Sequence, residues 1–328
     1  MAQQSKKKYL DFHYPVFIPA ALIILIFASI AIIYGEPLAA FFMDFRTLMY
    51  DKVGWFFILT TNALLVMAIV LAFSKFGKIK LGGRLATPDF SNFAWYSMLF
   101  SAGMGIGLIF YGVAEPIQHF ATPPIPVDGE MAAADQSFQF TFLHYGLHPW
   151  AIYGMISLAF AFFTFNRKLP LTVRSLFAPL LGRKIHGIFG HVVDTLAVIA
   201  CLFGLATTLG FGAQQVGSGL NFLFGIENTV NTQVLFIAIT TLLATLSIVS
   251  GLDKGVKILS IFNIRIAVVF LLLMLLIGPT VFILESLIEN IGNYSQNLIQ
   301  LGTYTEAYSD STWQNNWTIF YWAWWIAW

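Results

Sequence analysis

The chain has 328 residues, of which 58% are hydrophobic and 10% charged, against roughly 25% charged in an ordinary globular protein. Its mean hydropathy of +0.76 excludes a soluble pair of domains and implies an integral membrane protein. A formal net charge of +1, 33 phenylalanines and a single cysteine exclude a nucleic-acid-binding field, a disordered chain and a disulfide or multi-cysteine metal framework.

Crossing a bilayer takes about 20 mostly apolar residues in a helix. Seven stretches meet that length: 14–34, 54–73, 94–116, 141–164, 186–212, 234–252 and 258–284, and an eighth begins near Trp317. The first is too long for a signal peptide and has no small-residue cleavage site, so the amino terminus is expected to be retained. Lysine and arginine positions set the orientation. Lys6, Lys7 and Lys8 precede the first span, and Lys75, Lys78, Lys80 and Arg84 follow the second. Arg167, Lys168, Arg174, Arg183 and Lys184 follow the fourth, and Lys254 and Lys257 the sixth, which puts 14 of the 17 basic residues on one side. The opposite loops hold only Arg46 and Lys52, together with Asp128, Glu130, Asp135, Glu227, Glu285, Glu289, Glu306 and Asp310. Arg265 lies within the seventh span near its end, where it can snorkel. The expectation is a cytoplasmic amino terminus and an eighth span entered from outside. The basic stretch from Asn166 to Arg183, with Pro170, reads as a short interfacial helix, and residues 285–316 as the longest external loop.

The third span reads Ser101-Ala-Gly-Met-Gly-Ile-Gly-Leu-Ile-Phe-Tyr-Gly-Val-Ala-Glu-Pro116. Gly103, Gly105, Gly107 and Gly112 each weaken a helix by about 1 kcal/mol relative to alanine. Carbonyls freed by unwinding must face protein or a water-filled cavity, as at the ion and substrate sites of transporters. Gly103 and Gly107 also form a G-x-x-x-G pair, so close helix packing stays open beside a binding role. Glu115-Pro116 is read as a helix end near the interface, in preference to an ion path.

In the fourth span, Tyr145, Trp150 and Tyr153 flank a kink expected at Pro149. The eighth supplies Trp322, Trp324, Trp325 and Trp328, four indoles within seven positions. That density exceeds an interfacial belt and suits a quaternary ammonium group, which donates no hydrogen bond and is held by aromatic faces. His144 and His148, spaced i, i+4, invite a zinc reading, but no convincing third ligand accompanies them, so no metal is expected. Asp194 is expected to meet water or a basic loop in preference to carrying protons, and Cys201 to be a small buried apolar residue.

Three segments carry a resemblance: Gly103-Met-Gly-Ile-Gly107 with Phe110-Tyr-Gly and Ala114-Glu-Pro116, then Gly146-Leu-His-Pro-Trp-Ala-Ile-Tyr153, then Thr318-Ile-Phe-Tyr-Trp-Ala-Trp-Trp-Ile-Ala-Trp328. Over essentially its whole length the chain resembles the betaine/carnitine/choline transporters, secondary carriers of trimethylammonium compounds. The resemblance implies an all-α membrane protein of five-plus-five inverted-repeat, LeuT-like fold, and a possible homotrimer in the lipid bilayer of the inner membrane. It divides the chain into a cytoplasmic segment 1–13, two peripheral helices within 14–73, a first five-helix repeat 94–284, an external loop 285–316 and the start of a second repeat, 317–328. On that template the chain stops within the second repeat.

The resemblance also assigns roles. Tyr145, Trp150, Tyr153 and Trp325 would surround the trimethylammonium group, with tyrosine at 145 where well-known betaine carriers have tryptophan. Trp324 and Trp328 would act as the substrate moves inward, and the Gly103, Gly105 and Gly107 backbone would approach its carboxylate. Ser101 and Met104 would offer carbonyls to one sodium ion. Glycine at 107, where some choline carriers have aspartate, favours zwitterionic glycine betaine. A second sodium site of the family uses two threonines where this chain has Cys201 and Leu205, leaving Thr208 nearby as the polar candidate. The expectation is therefore sodium-coupled uptake of glycine betaine by alternating access, with no cofactor beyond the coupling ion. A proton-coupled choline carrier is the alternative, and a metal hydrolase and a non-transporting fragment are the other classes.

Overall fold

The computed structural model describes residues 12–103 and 105–327, with the backbone alone at Ile106 and Leu108. Lys6, Lys7, Lys8, Met104 and Trp328 lie outside the described residues. No strand occurs among those that are described.

Helix α1, Tyr14–Phe73, joins the first two expected spans. Its 60 residues would measure about 90 Å if straight, three times a bilayer core of about 30 Å. The backbone turns at Gly35, whose φ of 43° and ψ of −112° suit glycine, and Pro37 follows. The expected connecting loop is therefore helical beyond that bend.

The third expected span is two helices, α2 (Asn92–Gly103) and α3 (Ile106–Ala121), separated at the glycines. Contrary to expectation, Pro116 does not end the helix but lies inside α3. The carbonyl its ring crowds, four residues earlier, is that of Gly112.

The fourth span starts early, at Glu130, and divides into α4 (Glu130–Tyr145) and α5 (Leu147–Ala161). The interruption falls at Gly146 (φ −93°, ψ −132°), and not at Pro149 as expected. Pro149 occupies the first turn of α5, where a missing N–H costs nothing. A side chain at Gly146 would approach the Tyr294 hydroxyl to 3.0 Å, and that hydroxyl accepts the Leu147 N–H at 3.1 Å.

The expected interfacial helix is a chain of short turns: Val173–Phe177, α6 (Ala178–Leu181) and Gly182–His186. Pro170 and Pro179 break it, as does Gly182, at φ 53°. Arg174 anchors these turns, its Nε lying 3.1 Å from Asp194 Oδ2 and its backbone N–H donating to Oδ1 at 2.8 Å. Asp194 thus meets the basic loop, as the sequence indicated.

Helices α7 (Ile188–Phe224), α8 (Val230–Val249) and α9 (Lys257–Ile277) follow. Helix α10, Thr280–Gly302, occupies most of the expected external loop. Its amides recur at helical spacing and dock on α4: Asn293 Nδ2 donates to Asp135 Oδ1 at 2.6 Å, and Asn297 Nδ2 to Gln139 Oε1 at 2.9 Å. The last described helix is α11, Phe320–Ala327.

Among the described residues, five helical segments are long and apolar enough to cross a membrane: Tyr14–Phe73, Glu130–Asn166, Ile188–Phe224, Val230–Val249 and Leu252–Ile277. The first two expected spans fall on the one bent helix α1 and the third on the two short helices α2 and α3, so the seven expected stretches occupy these five segments together with α2 and α3. The protein is an all-α, multi-pass membrane protein.

Asn62 fastens the peripheral helix to the rest. Its amide donates to the carbonyls of Ile58 (2.8 Å) and Gly302 (2.6 Å), and its Oδ1 lies 3.2 Å from His148 Nε2. Asn62→Ala should cost about 1–2 kcal/mol, read as a lower thermal midpoint in detergent.

Candidate functional site

The break between α2 and α3 lies against α5, α7 and α11, and indole rings occupy the volume the glycines vacate. A Cβ at Gly103 would fall 2.5 Å from Trp150 Cη2, and one at Gly107 would fall 2.9 Å from Trp324 Cη2. Trp150 stands 6.1 Å from Trp325 at 54° and 5.7 Å from Tyr153 at 89°. Tyr145 Oη donates to the Gly107 carbonyl at 3.1 Å. Packing and cavity formation, alternatives on spacing alone, coincide here: the glycines admit the rings that form the walls.

Gly103, Gly105, Gly107, Tyr145, Thr208, Trp324 and Trp325 line one cavity of about 30 Å³. A single water molecule needs at least roughly 10–15 Å³, so the space is constricted. No charged side chain is among the seven. The Trp324 indole N–H is buried and finds no acceptor among the described residues.

The other expected site residues divide. Trp150 and Tyr153 extend the aromatic wall through the ring contacts above. Thr208 turns its hydroxyl to the Gly204 carbonyl at 3.2 Å, and its methyl group faces Gly105. Ser101 does not line the cavity: its hydroxyl donates to the Ser260 carbonyl at 3.2 Å, toward α9. Met104 and Trp328 lie outside the described residues. Cys201 is exposed, not buried as expected, and lines a separate cavity with His13, Arg174 and Asp194.

Sequence reasoning missed the cluster centred on Glu115. This carboxyl group is fully buried, not interfacial, because α3 continues past it into the protein. Its Oε1 lies 3.1 Å from His119 Nε2 and 2.5 Å from His144 Nδ1, and its Oε2 accepts from Tyr321 Oη at 2.6 Å. His144 Nε2 is 2.9 Å from Thr318 Oγ1. The available signal was Glu115 and His119 at i, i+4. His144 and His148, expected on one helix face, are separated by the Gly146 interruption and bind different partners, Glu115 and Asn62.

Glu115, His119 and His144 offer three ligand atoms within 4.8 Å of one another, the number a catalytic zinc uses. The tautomer of His119 argues for hydrogen bonding. Trp313 Nε1–H, which can only donate, points to His119 Nδ1 at 3.4 Å. The neutral ring therefore carries its proton on Nε2, facing Glu115. A metal on Nε2 would displace that proton and leave neither ring nitrogen protonated, whereas a ligating histidine donates its second N–H.

A family profile described as betaine/carnitine/choline family transporter matches residues 15–328. A glycine betaine transporter of Acinetobacter baylyi is 42% identical over 328 residues, covering 100% of this chain and 50% of the relative. A glycine betaine/proline/choline transporter of Vibrio parahaemolyticus is 41% identical, over 97% of this chain and 61% of its own length. A glycine betaine transporter of Bacillus subtilis is 44% identical over 85% of this chain and 55% of its own length. The chain thus spans about half to three-fifths of the length of these relatives.

Proposed function

Because the chain belongs to the betaine/carnitine/choline family of transporters, we propose that it forms part of a carrier that takes up glycine betaine or a related quaternary ammonium compound. The observation that carries this reading is the cavity walled by glycine backbone, indoles and a phenol with no charged side chain. A trimethylammonium group donates no hydrogen bond, and each aromatic face contributes about 0.5–2 kcal/mol. A zwitterion brings no net charge for the site to neutralise, whereas choline brings a cation. The names of the relatives support the same class, with choline beside glycine betaine in one of them.

In this reading Tyr145, Trp150, Tyr153, Trp324, Trp325 and Trp328 handle the ammonium end, and the Gly103, Gly105 and Gly107 backbone the carboxylate. The protein works by alternating access between inverted repeats, as a homotrimer in the inner membrane with a cytoplasmic amino terminus. Sodium held by the Ser101 and Met104 carbonyls and Thr208 supplies the drive, at about 2.3 kcal/mol per charge per 100 mV. Proton-coupled uptake of choline is the second reading, supported by the choline in the name of one relative.

Proteoliposomes holding the whole protein, given labelled glycine betaine or choline, test this. Accumulation of glycine betaine that collapses when external sodium is replaced by another cation is expected. Indifference to sodium together with loss under a protonophore would move the drive to protons. Accumulation of neither compound under either gradient would end the uptake reading.

A further inference from the structure

A row of oxygens leads from Glu115 to the glycine break, and it holds one more contact than it has hydroxyl hydrogens. Glu115 Oε2 is 2.6 Å from Tyr321 Oη, which is 3.0 Å from Tyr145 Oη, which is 3.1 Å from the Gly107 carbonyl. The Gly107 carbonyl can only accept, so Tyr145 gives its one hydrogen there. An ionised Glu115 can also only accept, so Tyr321 gives its one hydrogen to Oε2. The two phenol oxygens then face each other with no hydrogen between them, an unfavourable arrangement at Tyr321, which is fully buried.

One added proton on Oε2 removes the conflict. Glu115 then donates to Tyr321, Tyr321 to Tyr145, and Tyr145 to Gly107, so that every contact holds one hydrogen. The rest of the cluster accommodates the change: Oε1 stays a carbonyl accepting N–H groups from His119 and His144, and His144 Nε2 accepts from Thr318. The titratable groups around Glu115 are His119 and Tyr111 on its own helix, His144 and Tyr145 on α4, and Tyr321 on α11. Among the described residues no lysine or arginine lies within ion-pair distance of it.

We infer that Glu115 is a proton-binding site whose occupancy is linked to the glycine break through Tyr321 and Tyr145. Gly107 and Tyr145 both line the cavity. A ligand that parts Tyr145 from either Gly107 or Tyr321 removes one contact, and two hydrogens then suffice for an ionised Glu115. Ligand entry therefore releases the proton, and ligand and proton compete. The ligand half of this inference rests on the proposed glycine betaine site; the proton half does not.

Two measurements on the whole protein test it. Infrared spectra of the ligand-free protein should show the C=O stretch of a protonated buried carboxyl that ionises as pH rises, and Glu115→Gln should abolish it. Should Glu115→Gln fail to fold, Tyr321→Phe, which keeps the ring but removes the acceptor of that proton, should shift the same band. Addition of glycine betaine in weak buffer should release up to one proton per site, and its affinity should fall about tenfold per pH unit lowered where the full proton exchanges. Tyr321→Phe should suppress that release. Absence of the band, or its survival unchanged in these variants, overturns the proton site. A band with no proton release on binding, or undiminished release in Tyr321→Phe, overturns the linkage. If glycine betaine does not bind at all, the uptake reading fails while the infrared result still decides the proton site.

Discussion

Replacing Trp325 with leucine is expected to weaken glycine betaine binding by about 2- to 30-fold, the equivalent of 0.5–2 kcal/mol for one aromatic face. Leucine keeps apolar surface in the cavity but has no negative ring face for the trimethylammonium group. Trp325→Phe should fall between the two, since it restores a smaller face. Trp150 lies 6.1 Å from Trp325, so the double variant should lose less than the sum of the singles if one ring repositions when the other goes. Binding titrated by intrinsic fluorescence, with uptake as the second readout, checks both. Unchanged affinity in Trp325→Leu would remove this ring from the site.

Gly103→Ala should be damaging although only a methyl group is added. The new carbon would lie 2.5 Å from Trp150 Cη2, with Cζ3 at 3.2 Å and Cζ2 at 3.3 Å, so the edge of the indole must move. Phe100 at 5.5 Å, Tyr153 at 5.7 Å and Trp325 at 6.1 Å surround that ring and limit where it can go. Overpacking of this kind costs about 1–3 kcal/mol, and the displaced ring should weaken betaine binding as well. Gly112→Ala is the internal comparison, because nothing lies within 4 Å of its added carbon. Thermal unfolding and betaine affinity should both fall in Gly103→Ala and neither in Gly112→Ala. Equal behaviour of the two would show that Trp150 does not depend on Gly103 for its seat.

The membrane class was legible because hydropathy is a sum, indifferent to how residues are arranged. The aromatic wall was legible because its members lie in two short motifs, Tyr145 to Tyr153 and Trp317 to Trp328, whose residue types are unusual at that density. Interruptions were harder to locate. Pro149 looks like the kink in the fourth span, but a proline in a first turn costs nothing, and it is Gly146 beneath the Tyr294 hydroxyl that breaks the helix. Helix α10 was hidden because Asn290, Asn293 and Asn297 resemble loop residues until Asp135 and Gln139 appear opposite the last two. The Glu115 cluster was least legible of all. Its partners come from positions 119, 144, 313, 318 and 321, and neither periodicity nor spacing says that these converge.

Cutting one long helix at Gly103 and Gly105 also makes two short dipoles from one. The carboxyl end of α2 and the amino end of α3 both reach the cavity wall, and each helix end carries about half an elementary charge, negative at the former and positive at the latter. The cavity therefore has a built-in field despite its lack of charged side chains. Such a field favours a molecule with opposite charges at its two ends over one with a single charge, and it lets one ligand be held in a fixed direction without a charged side chain in the cavity wall.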